Sequence, residues 1–216
     1  MSSKREARRE PRVDEDLAAE CTAIDDETDV TDATVRGDFS ATDRYLVSVR
    51  QCRVEGARFT GSRLVRAAFV DCVIVDSDFS GVRLDDCRFE RVELRRCRVS
   101  GLQATKSQFT DVALFDCKAD AASFRMSVWE RAEFRDCNLV ESDFTGAKLP
   151  ASRVEGCDLT KADLTKCDLT GTRLHRSNLT DVKGGDALRG VVISSDQLIP
   201  AALAVFASMK IRIDDE

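Results

Sequence analysis

The chain has 216 residues, 43% of them hydrophobic, with 33 Lys and Arg against 39 Asp and Glu and a formal net charge of −6. No apolar run approaches the eighteen or so residues of a membrane span, and residues 1–20 are charged throughout, unlike a secretory signal, so a cytoplasmic protein is expected. Nine cysteines without C-x-x-C spacing, and a single histidine, give no zinc pattern.

Residues 1–36 read as a polar N-terminal arm. The mixed-charge run Lys4 to Arg12 has the texture of a disordered segment, and Asp14 to Ile24, with Leu17, Ala18 and Cys21, has room for a short helix. Val30 and Val35 are five apart, but Phe39 follows Val35 by four, so a spacing slips near Gly37, and Arg44 interrupts it again. Residues 30–51 are expected to form an irregular first coil that closes one end of a longer, regular region.

From Val54 to Leu179 every fifth residue is apolar, in 26 positions without a break. Twenty-four are large (eleven Leu, eight Phe, three Val, one Ile and one Trp), and the others are Ala104 and Ala119. Two residues before nearly every one stands a smaller residue, usually Cys, Ser or Ala, and the residues between are mostly polar. A period of five suits neither a helix nor a single strand. It suits a chain that turns a corner every five residues, so that four sides make a coil of twenty and stacked coils pair as parallel strands about 4.8 Å apart. A coil cannot bury its inner face alone, so neighbours must stack. Leu102 beside Ala104 exchanges volume between the two inward positions, as close packing requires. Trp129 falls in the column of Phe69, Phe89, Phe109 and Leu149, with Ser127 making room. Eight of the nine cysteines hold the small inward position, where a thiol acts as a small hydrophobe. Cys97, Cys117, Cys137 and Cys157 share a column, with side chains in parallel and farther apart than the roughly 3.8 Å between Cβ atoms that a disulfide prefers.

The units Ser77-Asp78-Phe79-Ser80-Gly81, Ser142-Asp143-Phe144-Thr145-Gly146 and Cys167-Asp168-Leu169-Thr170-Gly171 resemble those of the pentapeptide-repeat proteins. The resemblance covers 52–182, and 37–51 more loosely. It implies an all-β solenoid, a right-handed quadrilateral parallel β-helix, here over 37–182. Gly61, Gly81 and Gly101 suit its corners. Asp143, Asp158, Asp163, Asp168 and Asn178 suit turn hydrogen bonding.

Residues 183–216 are expected to cap the solenoid. Lys183-Gly184-Gly185 ends the repeat, and Leu188 to Ile193 can add one more edge. Ser194 and Gln197 form a capping-box pattern, and a helix is expected over about 200–209. Ile211 and Ile213 alternate as in a short strand. The apolar helix, with Leu198, Leu203, Phe206 and Met209, serves either as a cap over an unpaired strand edge or as a dimer interface. Gyrase-binding members of the family pair through their C-terminal ends, which favours a homodimer.

No phosphate-cradling loop, metal-ligand cluster or nucleophile–base pair is evident. His175 follows an inward Leu174 and should be exposed, and a packed rod leaves no room for a substrate. No catalytic residue, cofactor or metal is therefore assigned. Flat strand faces and outward apolar residues suit a non-enzymatic scaffold for protein–protein interaction, while the resemblance implies another role, a mimic of DNA that binds DNA gyrase, as in the fluoroquinolone-resistance proteins of the Qnr and MfpA type. Residues 52–182 carry 21 basic and 21 acidic side chains, and a neutral rod is a poor mimic of a polyanion. The scaffold is preferred. Its candidate surface is the belt Arg83, Arg88, Arg91, Arg95, Arg96 and Arg98 with the outward apolar Val73, Val75 and Phe115. The belt lacks the interleaved aromatics that stack bases, so a protein partner is expected and no direct contact with nucleic acid or membrane.

Overall fold

The computed structural model describes residues 7–212. Sixteen strands and one helix follow in chain order: β1 (Ala19–Cys21), β2 (Asp29–Thr31), β3 (Ala33–Val35), β4 (Asp43–Tyr45), β5 (Ser48–Arg50), β6 (Arg53–Glu55), β7 (Arg63–Val65), β8 (Ala68–Val75), β9 (Arg83–Asp85), β10 (Arg88–Arg95), β11 (Gln108–Phe115), β12 (Val128–Glu130), β13 (Glu133–Arg135), β14 (Arg153–Glu155), β15 (Arg173–His175), β16 (Val192–Ile193) and α1 (Leu198–Ser208). All pairing is parallel. Phe69 pairs with Phe89, Phe89 with Phe109 and Phe109 with Trp129, a register of twenty. The result is a parallel-strand β-solenoid of about eight turns with one short C-terminal helix.

The corner geometry explains the period. The second residue after each large inward one takes a left-handed conformation: Gly61, Gly81 and Gly101 have φ of 67°, 65° and 63°, and Asp71, Arg91 and Asp111 have φ of 52°, 51° and 57°. A single left-handed residue reverses the inward alternation once per side. Non-glycine residues pay a steric penalty there, which the next coil's carbonyl offsets by accepting the corner amide, as in Arg96 N to Phe115 O at 2.9 Å. Asp and Asn side chains support the turns as the sequence suggests. Asp143, Asp163 and Asp168 accept, through Oδ1, the amides of Thr145, Thr165 and Thr170 at 2.9–3.0 Å, and Asn178 accepts that of Thr180 at 3.0 Å.

Both inward rails are buried throughout 52–179. Phe59 stacks on Phe79 with 4.6 Å between ring centroids, and Trp129 on Phe109 at 3.8 Å. Ser127 does more than make room for Trp129: its Oγ accepts the indole N–H at 2.8 Å and donates to Phe124 O at 2.6 Å. The buried hydroxyls and thiols of the small rail commonly donate to the preceding coil. Cys97, Cys117 and Cys137 reach Ile74, Leu94 and Leu114 carbonyls at 3.4–3.5 Å. Burial pushes the Cys72 and Cys167 thiols up to about 12. In the column of four, the neighbouring sulfurs, Cys137 first, and then burial hold Cys117 and Cys157 up. The same neighbours favour a thiolate at Cys137, but an uncompensated charge in this apolar core costs far more, and each of Cys97, Cys117 and Cys137 already spends its one proton on a carbonyl. The column is therefore four neutral thiols.

Four expectations are corrected at the ends. Residues 19–21 are not helical. β1 pairs with β3, and the solenoid starts upstream of residue 37. The slip near Gly37 is present, because Val35 aligns with Val54, nineteen residues on, while Arg44 aligns with Leu64, twenty on. Arg44, at a large inward position, sends Nε to Ile24 O at 2.6 Å, so a charged side chain closes the first coil through its rim. At the other end α1 starts at Leu198, two residues earlier than expected, after the capping box of Ser194 and Gln197. Ile211 is not in a strand, and Ile213 lies outside the described residues. β16 adds the expected final edge on β15.

Candidate interaction surface

The arginine belt does not form one patch. Arg83 and Arg98 are fifteen residues apart in a coil of twenty, so the six arginines are spread over all four sides. Four of them pair with carboxylates: Arg91 with Asp71 at 2.7 Å and with Glu90, Arg96 with Asp76 at 2.8 Å, Arg95 with Glu93, and Arg88 with Glu90. The Arg96–Asp76 and Arg88–Glu90 contacts are exposed and contribute about 0–1 kcal/mol each, while those of Arg91 and Arg95 are part-buried. Of the apolar candidates, Val73 and Phe115 are half-buried, but Val75 is only 4% exposed, in register between Glu55 and Arg95, and offers no docking surface. His175, expected to be exposed, is half-buried in β15, in register with Glu155.

One corner of the rod is different. Its column reads Asp71, Arg91, Asp111, Arg131, alternating in sign from coil to coil. Arg131 grips Asp111 at 2.6 and 2.9 Å, as Arg91 grips Asp71. The adjoining columns read Glu93, Ala113, Glu133 and Arg95, Phe115, Arg135. Ala113 leaves a notch between two carboxylates, beside an aromatic ring.

Residues 7–12 lie along this corner, which corrects the expectation of disorder for the part of Lys4–Arg12 that is described; Lys4 to Glu6 lie outside the described residues. The Arg8 guanidinium enters the notch, donates to Glu93 at 2.6 Å and stands 3.6 Å from Glu133. With Arg95 and Arg135 it surrounds the Phe115 ring, at 5.9, 5.0 and 5.2 Å from the centroid. The amide of Arg9 donates to Asp111 at 3.0 Å and that of Arg12 to Asp71 at 3.1 Å. Under this strap Asp71, Glu93 and Asp111 are 8%, 4% and 1% exposed, although they sit on the outside of the rod. Burial disfavours the charged forms of Asp71 and Asp111. The guanidiniums of Arg91 and Arg131 and the strap amides outweigh it and hold both carboxyls below their ordinary value of 3.8. Reading along the chain hides this site. Reading down columns of twenty shows the alternation and the Glu-Ala-Glu notch, but not what fills it.

The C-terminal end carries the other unusual surface. Helix α1 turns Ala201 and Ala204 to the rod and leaves Leu198, Leu203, Phe206 and Met209 at 65%, 53%, 40% and 65% exposure. It sits backbone to backbone: a Cβ on Gly185 would fall 2.1 Å from the Ala204 carbonyl oxygen. Among the described residues no group of His, Cys, Asp and Glu could hold a metal ion, and no helix is long and apolar enough to cross a membrane.

Family models agree with this architecture. A pentapeptide repeat region matches residues 87–164, and two models of pentapeptide repeats match 50–98 and 151–183. The chain belongs to the pentapeptide-repeat family. Among solved structures it is similar to full-length QnrB1, a plasmid-mediated fluoroquinolone resistance protein, with 18% identity, a TM-score of 0.55, and 88% of this chain and 94% of that one covered. It also matches HetL, a pentapeptide repeat protein involved in heterocyst differentiation regulation from the cyanobacterium Nostoc sp. strain PCC 7120, with 15% identity, a TM-score of 0.44 and 82% and 83% coverage. These likenesses concern the fold alone. A comparison with curated proteins gave no match.

Proposed function

We propose that this pentapeptide-repeat protein is a non-enzymatic scaffold for protein–protein interaction in the cytoplasm. The observation that carries the reading is the filled interior. Columns of stacked Phe, Trp and Leu occupy the rod's axis from Phe39 to Leu179, so recognition belongs to the outer faces. Those faces are mixed-charge ladders with balanced totals over 52–182, which favours a protein partner over nucleic acid. The exposed apolar side of α1 favours a homodimer through Leu198, Leu203, Phe206 and Met209, and sedimentation at twice the monomer mass is expected at tens of micromolar.

The second reading, a DNA mimic that binds DNA gyrase, comes from the family resemblance and is opposed by the neutral rod. A supercoiling assay with gyrase separates the two. The scaffold predicts unchanged supercoiling with the chain in excess over gyrase, together with recovery of a stoichiometric protein partner on full-length chain used as bait. Inhibition or protection of gyrase at stoichiometric amounts would overturn the scaffold in favour of the mimic.

A further inference from the structure

We propose that the corner formed by Asp71, Asp111, Glu93 and Glu133 is a docking track for an extended, arginine-bearing segment of a partner protein, and that residues 7–12 are its resident, displaceable occupant. The inference rests on the scaffold reading and gives it a site.

The first support is a match of lengths. Asp71 and Asp111 are two coils apart, roughly 9.6 Å at the strand spacing. Arg9 and Arg12, whose amides they receive, are three residues apart, and three residues of polyproline-like chain advance roughly 9.3 Å. Pro11 lies between them. It favours that conformation and has no N–H to leave unpaired. The track thus reads an extended chain once every three residues.

The second support is what the track reads. Two of its contacts are to main-chain amides, which any residue except proline supplies. The notch between Glu93 and Glu133 reads a side chain, and its floor, Ala113, and its aromatic wall, Phe115, suit a flat guanidinium better than an ammonium. The specification is therefore short: an arginine on an extended segment, with amide N–H groups available at the first and fourth residues after it.

The third support is the imperfect fit of the resident. Arg8 Nε is buried yet makes no hydrogen bond, and Glu133 stands 3.6 Å away. A segment seated slightly differently completes a bidentate contact that the tether denies to Arg8. Residues 14–18, mostly exposed and without regular structure, connect the strap to β1 and allow it to leave while the solenoid stays closed. The strap then sets a threshold: a partner segment must compete with an effective concentration on the order of millimolar.

The test uses the full-length chain and a labelled peptide with the sequence of residues 7–16, followed by fluorescence anisotropy. Replacing Arg8→Ala in the chain weakens the resident, so the peptide is expected to bind this variant at least tenfold more tightly than the unmodified chain. A peptide with the same Arg8→Ala change is expected to bind the variant at least tenfold more weakly, and so is the unmodified peptide on the chain that also carries Glu93→Gln. Circular dichroism melts identify any variant that fails to fold, and Glu133→Gln then replaces Glu93→Gln. The proposal is overturned if no peptide binds the Arg8→Ala chain at millimolar concentration, or if the arginine-free peptide binds as well. It is also overturned if the unmodified chain is a dimer that Arg8→Ala converts to monomers, because the strap is then exchanged between copies. A protein partner that is captured equally with and without Glu93→Gln overturns the track and leaves the scaffold standing. A stoichiometric effect on gyrase overturns the scaffold whatever the peptide does.

Discussion

The inside and the outside of the same coils follow different periods. Inside, a small and a large residue recur every five positions, and the 26 coupled pairs are all buried. Outside, along the corner from Asp71 to Arg131, the meaningful repeat is a change of sign from one coil to the next, so like residues return only after forty positions. The inner period is dictated by packing and tolerates little variation. The outer one is not required for closing a coil, because neighbouring stretches of the rod manage without it: beyond Ala151 the same corner column holds Gly171. The interior therefore specifies the fold, and the exterior is where a binding function can be written without disturbing it.

Substitutions on the two sides should separate accordingly. The largest effect is expected inside. Phe134 is 0% exposed and packs against Trp129 and Phe144, so Phe134→Ala should lower stability by roughly 3–5 kcal/mol. Chemical denaturation measures this, and a loss under about 1 kcal/mol would contradict the packing assigned to the large rail. Next comes the point where the interior ends. Gly185→Ala places a methyl group against the Ala204 carbonyl and should unseat α1, at a cost of about 1–3 kcal/mol, read as lost helical signal and as proteolysis at residues 195–208. Intact α1 in this variant would show that the helix is held by something other than that close backbone contact.

The strap is expected to respond to acid more than the core does. Asp71 and Asp111 have carboxyls held below 3.8 in the folded state. Their contribution is fully present above the unfolded value of about 4 and is lost as pH falls through the lower, folded value. Amide resonances of Arg9 and Arg12 should therefore move to free-chain positions below about pH 4, before the core resonances of Phe109 or Leu139 change. Simultaneous loss would mean that strap and core form one cooperative unit. The smallest effect is Cys137→Ser. The thiol already donates to the Leu114 carbonyl, and serine at the same kind of position does likewise, as Ser107 does to Leu84 O at 3.4 Å. A change of about 1 kcal/mol or less is expected, and unfolding by mild reductant alone would contradict the reading of this column as neutral thiols.

What was legible in the sequence divides along the same line. The period of five identified the solenoid, the twenty-residue register, the burial of Trp129 and eight cysteines, and the turn role of Asp143, Asp163 and Asp168, because each comes from local geometry repeated many times. The slip at Gly37 was legible for the same reason. The strap was not. Composition assigns Lys4 to Arg12 to disorder, since the segment has no apolar face to bury, and its order comes from carboxylates 59 to 125 residues away in sequence (Asp71 from Arg12, Glu133 from Arg8). Counting charges suggested an arginine belt, but four of its six members are matched to acids on the same or a neighbouring coil. β1 was missed because three residues, Ala19–Cys21, are too few to establish an alternation. They become a strand only because β3 offers an edge.

Hydrogen exchange on the full-length chain and on its Arg8→Ala variant tests the central claim most directly. If the interior holds the fold and the outer corner only holds an occupant, the amides of Arg9 and Arg12 are protected in the unmodified chain. They lose that protection in the variant, while the core amides of β8, β10 and β11 exchange at unchanged rates. Unprotected strap amides in the unmodified chain, or a loss of protection that spreads from the strap into β8, β10 and β11, would contradict it.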